Sequence, residues 1–229
     1  MVYGGEDRES IQNFKKYTKR SIAFFNDNVK RYPNIANVIP YFDEVFSFEK
    51  KDCEKYNLKF LTNFIYNEKE STKTQLEYDV FNISSKDKRT PQIIKIAENL
   101  KAQGIDYKII ILDKKNKIKN KNITTINKTI SLEEVASFID KATAMLDFHR
   151  SNQNGLSFRV FESLGLEKKL ITTNQDIKNY DFYNPDNIFI IENENFEIPK
   201  NFFTQPYIPL QQELYDSYAL NGWTKKLVG

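Results

Sequence analysis

The chain has 229 residues, 40% of them hydrophobic and 14% aromatic, which is enough apolar material to bury a sizeable core. Its seven glycines cannot form a G-x-G-x-x-G dinucleotide fingerprint, and none directly precedes a lysine, so a Walker A loop is excluded as well. A single Cys, Cys53, and a single His, His149, rule out an intrachain disulfide and zinc sites built on two thiolates, while a formal charge of +3 is too small to indicate nucleic acid.

In chain order, residues 21–25 read as a buried strand running into Asn26-Asp27-Asn28. Pro33 opens a short helical stretch and Pro40 closes it. Strands over 44–48 and 58–61 flank a short helix over 50–56. Strands alternating with helices imply parallel pairing, because each strand must return by a crossover. The polar run 67–75 carries no apolar periodicity and is the expected linker. After it come a strand at 76–83, a polar loop at 84–89, and a helix from Thr90-Pro91 to Ala102, with Thr90 as the expected N-cap and Gly104 as terminator. A strand at 107–112 runs into the lysine-rich stretch 114–122, which is expected to be a mobile, solvated loop. Ser131-Leu132-Glu133-Glu134 matches a capping box and opens the next helix. A strand at 144–148, a helix at 157–164, strands at 169–172 and 188–191, and a helix near 212–220 complete the reading.

In open parallel sheets, ligands gather at the carboxyl ends of the strands. The loop 84–89 offers hydroxyls and cations, among them Ser84, Lys86 and Arg89, beside a helix N-terminus, a combination that suits a diphosphate. An ordinary solvated turn would look the same. The stretch 147–165 holds His149, then Gly155, where a backbone can approach a ligand closely, and Ser157, able to cap the following helix. Glu162 lies a turn into that helix, where its carboxylate can accept from two sugar hydroxyls or pair with Arg159.

The run Gly155-Leu156-Ser157-Phe158-Arg159-Val160-Phe161-Glu162-Ser163-Leu164-Gly165, continuing through Lys168-Lys169-Leu170-Ile171-Thr172-Thr173-Asn174, resembles the donor-site helix and following strand of GT-B glycosyltransferases. The continuation to Ile188 and the upstream run Tyr41-Phe42-Asp43-Glu44-Val45-Phe46-Ser47-Phe48 are similar to the bacterial subgroup that builds lipopolysaccharide core or capsular polysaccharide. The resemblance spans residues 21–223 and implies a GT-B-like α/β fold: a parallel-sheet, Rossmann-type C-terminal domain and a partial N-terminal α/β unit. It makes Glu162 the ribose ligand, puts Ser157 and Arg159 near the donor diphosphate, places Arg89 in the first phosphate loop and Asn174 in the loop facing the cleft. Members of that family begin with a complete acceptor domain, and this chain starts well inside it.

The expected organisation is therefore an acceptor-side unit over 1–75, a nucleotide-sugar-binding domain over 76–200, and a helical tail over 201–229 packing back on the first unit. The expected activity is metal-independent transfer of a sugar from a nucleotide-sugar to a bacterial surface polysaccharide, with no cofactor; no D-x-D pair occurs in the chain. A nucleotide-sugar-binding subunit completed by a partner chain, or by a second copy, is the alternative. Asp27 is the N-terminal carboxylate placed as a general base would be, and His149 can polarise an acceptor hydroxyl. No apolar run approaches the length of a membrane span, and the N-terminus lacks a basic and apolar leader, so the expected location is the cytoplasm, at most against the inner membrane face.

Overall fold

The computed structural model describes residues 8–69, 74–151 and 153–229. Residues 4–7, positions 70–73 of the expected linker and Asn152 lie outside the described residues. The elements begin with α1 (Arg8–Lys15), β1 (Ile22–Phe25), β2 (Glu44–Ser47), α2 (Lys50–Tyr56) and β3 (Lys59–Phe60). They continue with β4 (Tyr78–Ser85), α3 (Thr90–Ala102), β5 (Tyr107–Leu112), β6 (Thr124–Ile126), α4 (Leu132–Asp140) and β7 (Ala142–Asp147). The last are α5 (Phe158–Gly165), β8 (Lys169–Thr172), β9 (Ile188–Ile190), α6 (Asn201–Thr204), α7 (Gln212–Tyr218) and α8 (Leu220–Val228).

Two compact units result: residues up to 66 with 150–158 and 211–229, and residues 67–149 with 159–210. The divisions thus fall at 66/67, 149/150, 158/159 and 210/211, where the sequence reading had 75/76 and 200/201 and kept 150–158 within the second domain. The reason is local packing. The Lys69 amide donates to the Gly165 carbonyl at 2.9 Å, which ties the start of the linker to the second unit. Ile198 and Phe202 are buried in that unit's core and hold the segment before residue 211 there.

In the first unit, β1, β2 and β3 form a parallel sheet in that order, with Ala23 opposite Val45 and Phe24 opposite Phe46. The two-residue period of a strand separates neighbours onto opposite faces. Ala23, Phe25 and Val45 join Ile11 of α1 and Val29, Ile35 and Val38 on one face. Phe24 and Phe46 join Phe48, Leu61 and Trp223 on the other. Trp223, from α8, donates its indole N–H to the Thr62 carbonyl at 2.6 Å and meets Phe24 edge to face at 4.9 Å. The proline-bounded stretch is two short 3-10 helices, 33–37 and 39–41.

The second unit is a six-stranded parallel sheet in the order β6-β5-β4-β7-β8-β9. Val80 belongs to the buried cluster that α3 forms with β5 and β7, whereas its neighbour Phe81 packs against Phe138 of α4 at 5.7 Å. Helices therefore cover both faces, as right-handed crossovers running in opposite directions along the sheet require. Gly104 ends α3 with a φ of +71°, a left-handed conformation that costs glycine little. Thr90 is the first residue of α3, not its cap; Arg89 takes that place, and the Thr90 hydroxyl accepts from the Asp87 amide at 3.1 Å. Ser131 does cap α4, its hydroxyl accepting from the Glu134 amide at 3.1 Å.

The lysine-rich run 114–122 is anchored at its root. Asp113, 3% exposed, accepts from the amides of Lys117 at 2.6 Å and Ile118 at 2.8 Å, and Ile118 packs against the core. A short strand, β6, follows it; Thr124 and Thr125 hid it behind a polar reading.

Candidate functional site

In the second unit the chain leaves β4 toward β5 on one side and reaches β7 on the other. The strand order reverses between β4 and β7, and the crevice outside their carboxyl ends is where a parallel sheet presents a ligand site. Ser84 is the penultimate residue of β4 and donates to Asn82 at 3.4 Å, so it lies on the strand rather than in the loop. Asn82 in turn donates to the Leu146 carbonyl at 2.7 Å, a side-chain bond from β4 to β7. Lys86 pairs with Asp113 at 3.1 Å. Arg89 reaches across the reversal: Nη1 donates to the Phe148 carbonyl at 2.6 Å, while Nε and Nη2 fork onto Asp87 at 2.9 and 2.7 Å. A guanidinium held on two sides is preorganised for an anion, though any diphosphate has to compete with Asp87.

The ends of β7 and β8 meet next. Asp147, 6% exposed, accepts from the Thr172 hydroxyl at 3.0 Å. The Thr173 hydroxyl contacts His149 twice, accepting from its amide at 3.1 Å and lying 2.8 Å from Nδ1. Nε2 is thereby turned to other partners, with no hydrogen bond among the described residues. Burial lowers the His149 pKa below its ordinary 6.5; Arg89 pushes the same way, and Asp147 opposes them. The neutral imidazole is the form present at neutral pH, suited to accepting a proton or a hydroxyl hydrogen. Asn174, 3% exposed, caps the 3-10 helix 175–179 by accepting from the Asp176 amide at 3.0 Å. Beside Thr173 lies a cavity of about 300 Å3 with an apolar lining from Ile96, Phe148, Ile191 and Phe196.

On α5, Arg159 Nη1 donates to Glu162 Oε2 at 3.0 Å, and Nη2 reaches the Ile83 carbonyl near the end of β4 at 3.4 Å. Glu162 is 9% exposed, and a carboxylate so buried requires hydrogen-bond partners. The Arg159 pairing that the spacing allowed is therefore present.

The remaining sequence-predicted residues belong to the first unit. Asp27 is ion-paired to Arg31 at 2.6 Å. Ser157 immediately precedes α5 and is partly buried. Gly155 has a different reason to be glycine than the one expected. A Cβ there would overlap the Phe48 carbonyl oxygen and lie 2.5 Å from Phe48 Cδ2 and 2.9 Å from Cε2, so the close approach is to the chain's own backbone. Two side chains that sequence reasoning missed hold this loop. Glu49, 2% exposed, accepts from the amides of Asn154 at 2.7 Å and Gly155 at 3.2 Å, and Asn63 donates to the Leu156 carbonyl at 2.9 Å. Glu49 directly follows an apolar strand, and a charged residue at that point was the available signal.

No protein-family model matches the chain. The curated protein Ycf2 of Physcomitrium patens is 29% identical over 211 residues, which is 90% of this chain and 8% of that protein, so the chain spans less than a tenth of its relative. Among solved structures, the apo lipopolysaccharide outer core galactosyltransferase WaaB aligns over 95% of this chain and 76% of its own, at 12% identity and a TM-score of 0.49. The C-terminal domain of the group 1 glycosyl transferase LpcC from Francisella tularensis aligns over 72% of this chain and 97% of its own, at 14% identity and a TM-score of 0.39. All of these scores lie below 0.5, and the account of function rests on this chain's own residues. Among the described residues no helix is long and apolar enough to cross a membrane.

Proposed function

We propose that the second unit binds a nucleotide-sugar and that the chain is a glycosyltransferase acting on a bacterial surface polysaccharide, lipopolysaccharide core or capsule, at the cytoplasmic side of the membrane. One observation supports this above the others. The order reversal between β4 and β7 gathers a preorganised arginine, Arg89, at the strand ends, and the helix that follows the β7 loop carries a buried carboxylate, Glu162. Those are the two chemistries a nucleoside diphosphate needs: cations for the diphosphate and an acceptor pair for the ribose diol.

In this reading Arg89, Lys86 and Arg159 offset the charge that develops on the leaving diphosphate as the glycosidic bond breaks, with no metal required. Neutral His149 orients a sugar hydroxyl through Nε2. Ser84 and Asn174 act from the strand end and the cap within the same unit. The test is a thermal-shift screen of the full chain with UDP-, GDP-, CMP- and dTDP-sugars. One base class should raise the melting temperature in proportion to ligand concentration, as linkage requires. No shift with any of the four, at concentrations up to about a thousand times a micromolar Kd, contradicts the proposal.

A further inference from the structure

The first unit has a polar pocket of its own. It measures about 370 Å3 and lies at the carboxyl ends of β1 and β2, walled by Asn28 and Lys30 after β1 and by Glu49, Lys51, Asp52 and Lys55 after β2. Two features separate it from a solvated turn. The first is Asp52. It is 7% exposed, and its carboxylate takes one hydrogen bond among the described residues, at Oδ2 from the Val29 amide at 2.8 Å. The amide fixes the carboxylate in place and leaves lone pairs for hydroxyl donors from a ligand. Burial raises the pKa of that carboxyl above its ordinary 3.8.

The second feature is a set of cations outside any close ion pair. Lys30, Lys51 and Lys55 form no ion pair among the described residues, whereas Lys15, Lys59, Lys69, Lys86 and Lys95 all do. Lys55 instead lies over the Tyr56 ring at 4.9 Å and attracts the Asp52 carboxylate, partly offsetting the rise that burial gives its pKa. Glu49, the other carboxylate in the wall, is held by the Asn154 and Gly155 amides and forms no ion pair with these lysines among the described residues.

We propose that this pocket binds an anionic saccharide, the three lysines meeting its phosphate or carboxylate and Asp52 accepting from its hydroxyls. A bare anion would meet repulsion from Asp52, and a neutral sugar would leave the lysines unused; a ligand carrying both groups satisfies both. The assignment of this ligand as the acceptor rests on the glycosyl-transfer reading, but its binding does not.

The experiment is an NMR titration of the 15N-labelled full chain at constant ionic strength. The probes are glucose 6-phosphate, glucuronate, glucose and inorganic phosphate, with the nucleotide panel titrated separately. Both anionic sugars should shift the Val29 amide and those of residues 51–55, and bind at least about fivefold more tightly than glucose or phosphate. Lys51→Met and Lys55→Met lie on the surface and keep the fold; each should weaken glucose 6-phosphate by about tenfold and leave glucose unchanged. Asp52→Asn should weaken glucose, which loses a charged acceptor for its hydroxyls, and tighten phosphate, which loses a repulsive charge. Phosphate shifting the same amides as tightly as glucose 6-phosphate would reduce the pocket to a cluster of cations and overturn the proposal. So would anionic sugars that leave the Val29 amide unmoved. If nucleotides shift amides of the second unit while the sugars do nothing here, this inference fails and the donor reading stands; the reverse result keeps the pocket and removes the donor reading.

Discussion

Replacing Gly155 with Ala tests how the loop before α5 is held. The new methyl would overlap a backbone oxygen, that of Phe48, and lie 2.5 Å from a ring carbon, and a backbone oxygen cannot rotate out of the way. Overpacking of this kind costs roughly 1–3 kcal/mol. If the loop moves to relieve it, one of the two bonds from Glu49 to the Asn154 and Gly155 amides is lost, and hydrogen bonds to a charged group contribute about 1.5–3 kcal/mol each. By either route the first unit should be destabilised by roughly 1.5–3 kcal/mol. Gly104→Ala is the control. It places a methyl where nothing lies within 4 Å, at a φ of +71°, so only the left-handed backbone penalty of about 1–2 kcal/mol applies. Urea unfolding followed by fluorescence of the single tryptophan, Trp223, reports on the unit that contains Gly155; far-UV circular dichroism follows the whole chain. A Gly155→Ala protein within about 1 kcal/mol of wild type would refute the packing argument.

The pH dependence of stability should carry a His149 signature. Its folded pKa lies below 6.5, so as pH falls through 6.5 the unfolded chain takes up a proton that the folded one does not, and stability drops until the folded pKa is passed. His149→Gln should flatten that part of a denaturation-midpoint profile between pH 7 and 5, and an unchanged slope would contradict it. Asp87→Asn keeps an acceptor for the Arg89 amide but removes the charge that competes for its guanidinium. Nucleotide affinity measured by calorimetry should rise by about threefold, and a fall would count against Arg89 as the diphosphate group. Changing Lys114, Lys115, Lys117 and Lys119 together to Gln should leave nucleotide affinity unchanged, because the run is rooted by backbone bonds to Asp113 and not by its side chains; a loss above about tenfold would show that these lysines meet the ligand.

Much of the second unit was legible because its strands are short apolar runs bounded by turn residues. The bounds of β8, residues 169–172, and of α2, residues 50–56, are those the sequence reading gives. Alternation also assigned strands to parallel pairing in both units. What stayed hidden depends on partners far away in sequence. Nothing local distinguishes Asp113 as a buried anchor for the lysine-rich loop, or Glu49 as the carboxylate beneath residues more than a hundred positions later. The strand β6 is partly exposed and rich in threonine, so it lacks the apolar run that marks its neighbours. At the candidate site, residue types were readable and their commitments were not. Arg89 is tied to Asp87 and the Phe148 carbonyl, Asn174 serves as a cap, and Asp27 holds Arg31. Asp52, the carboxylate that does face a pocket, sits inside a lysine-rich helix where the sequence offers no reason to single it out.

The central claim is that Glu162 accepts hydrogen bonds from the ribose of a bound nucleotide. Calorimetric titration of the best-binding nucleotide into wild type and Glu162→Gln tests it most directly. Glutamine keeps the shape and one acceptor oxygen but removes the charge that strengthens the bonds, so affinity should fall by roughly 1.5–3 kcal/mol, or about 10- to 150-fold. The 2′-deoxynucleotide should bind the two proteins with a smaller difference, because one of its hydroxyls is missing. Equal affinity of wild type and Glu162→Gln for the ribonucleotide would contradict the account and leave Glu162 as a structural partner of Arg159.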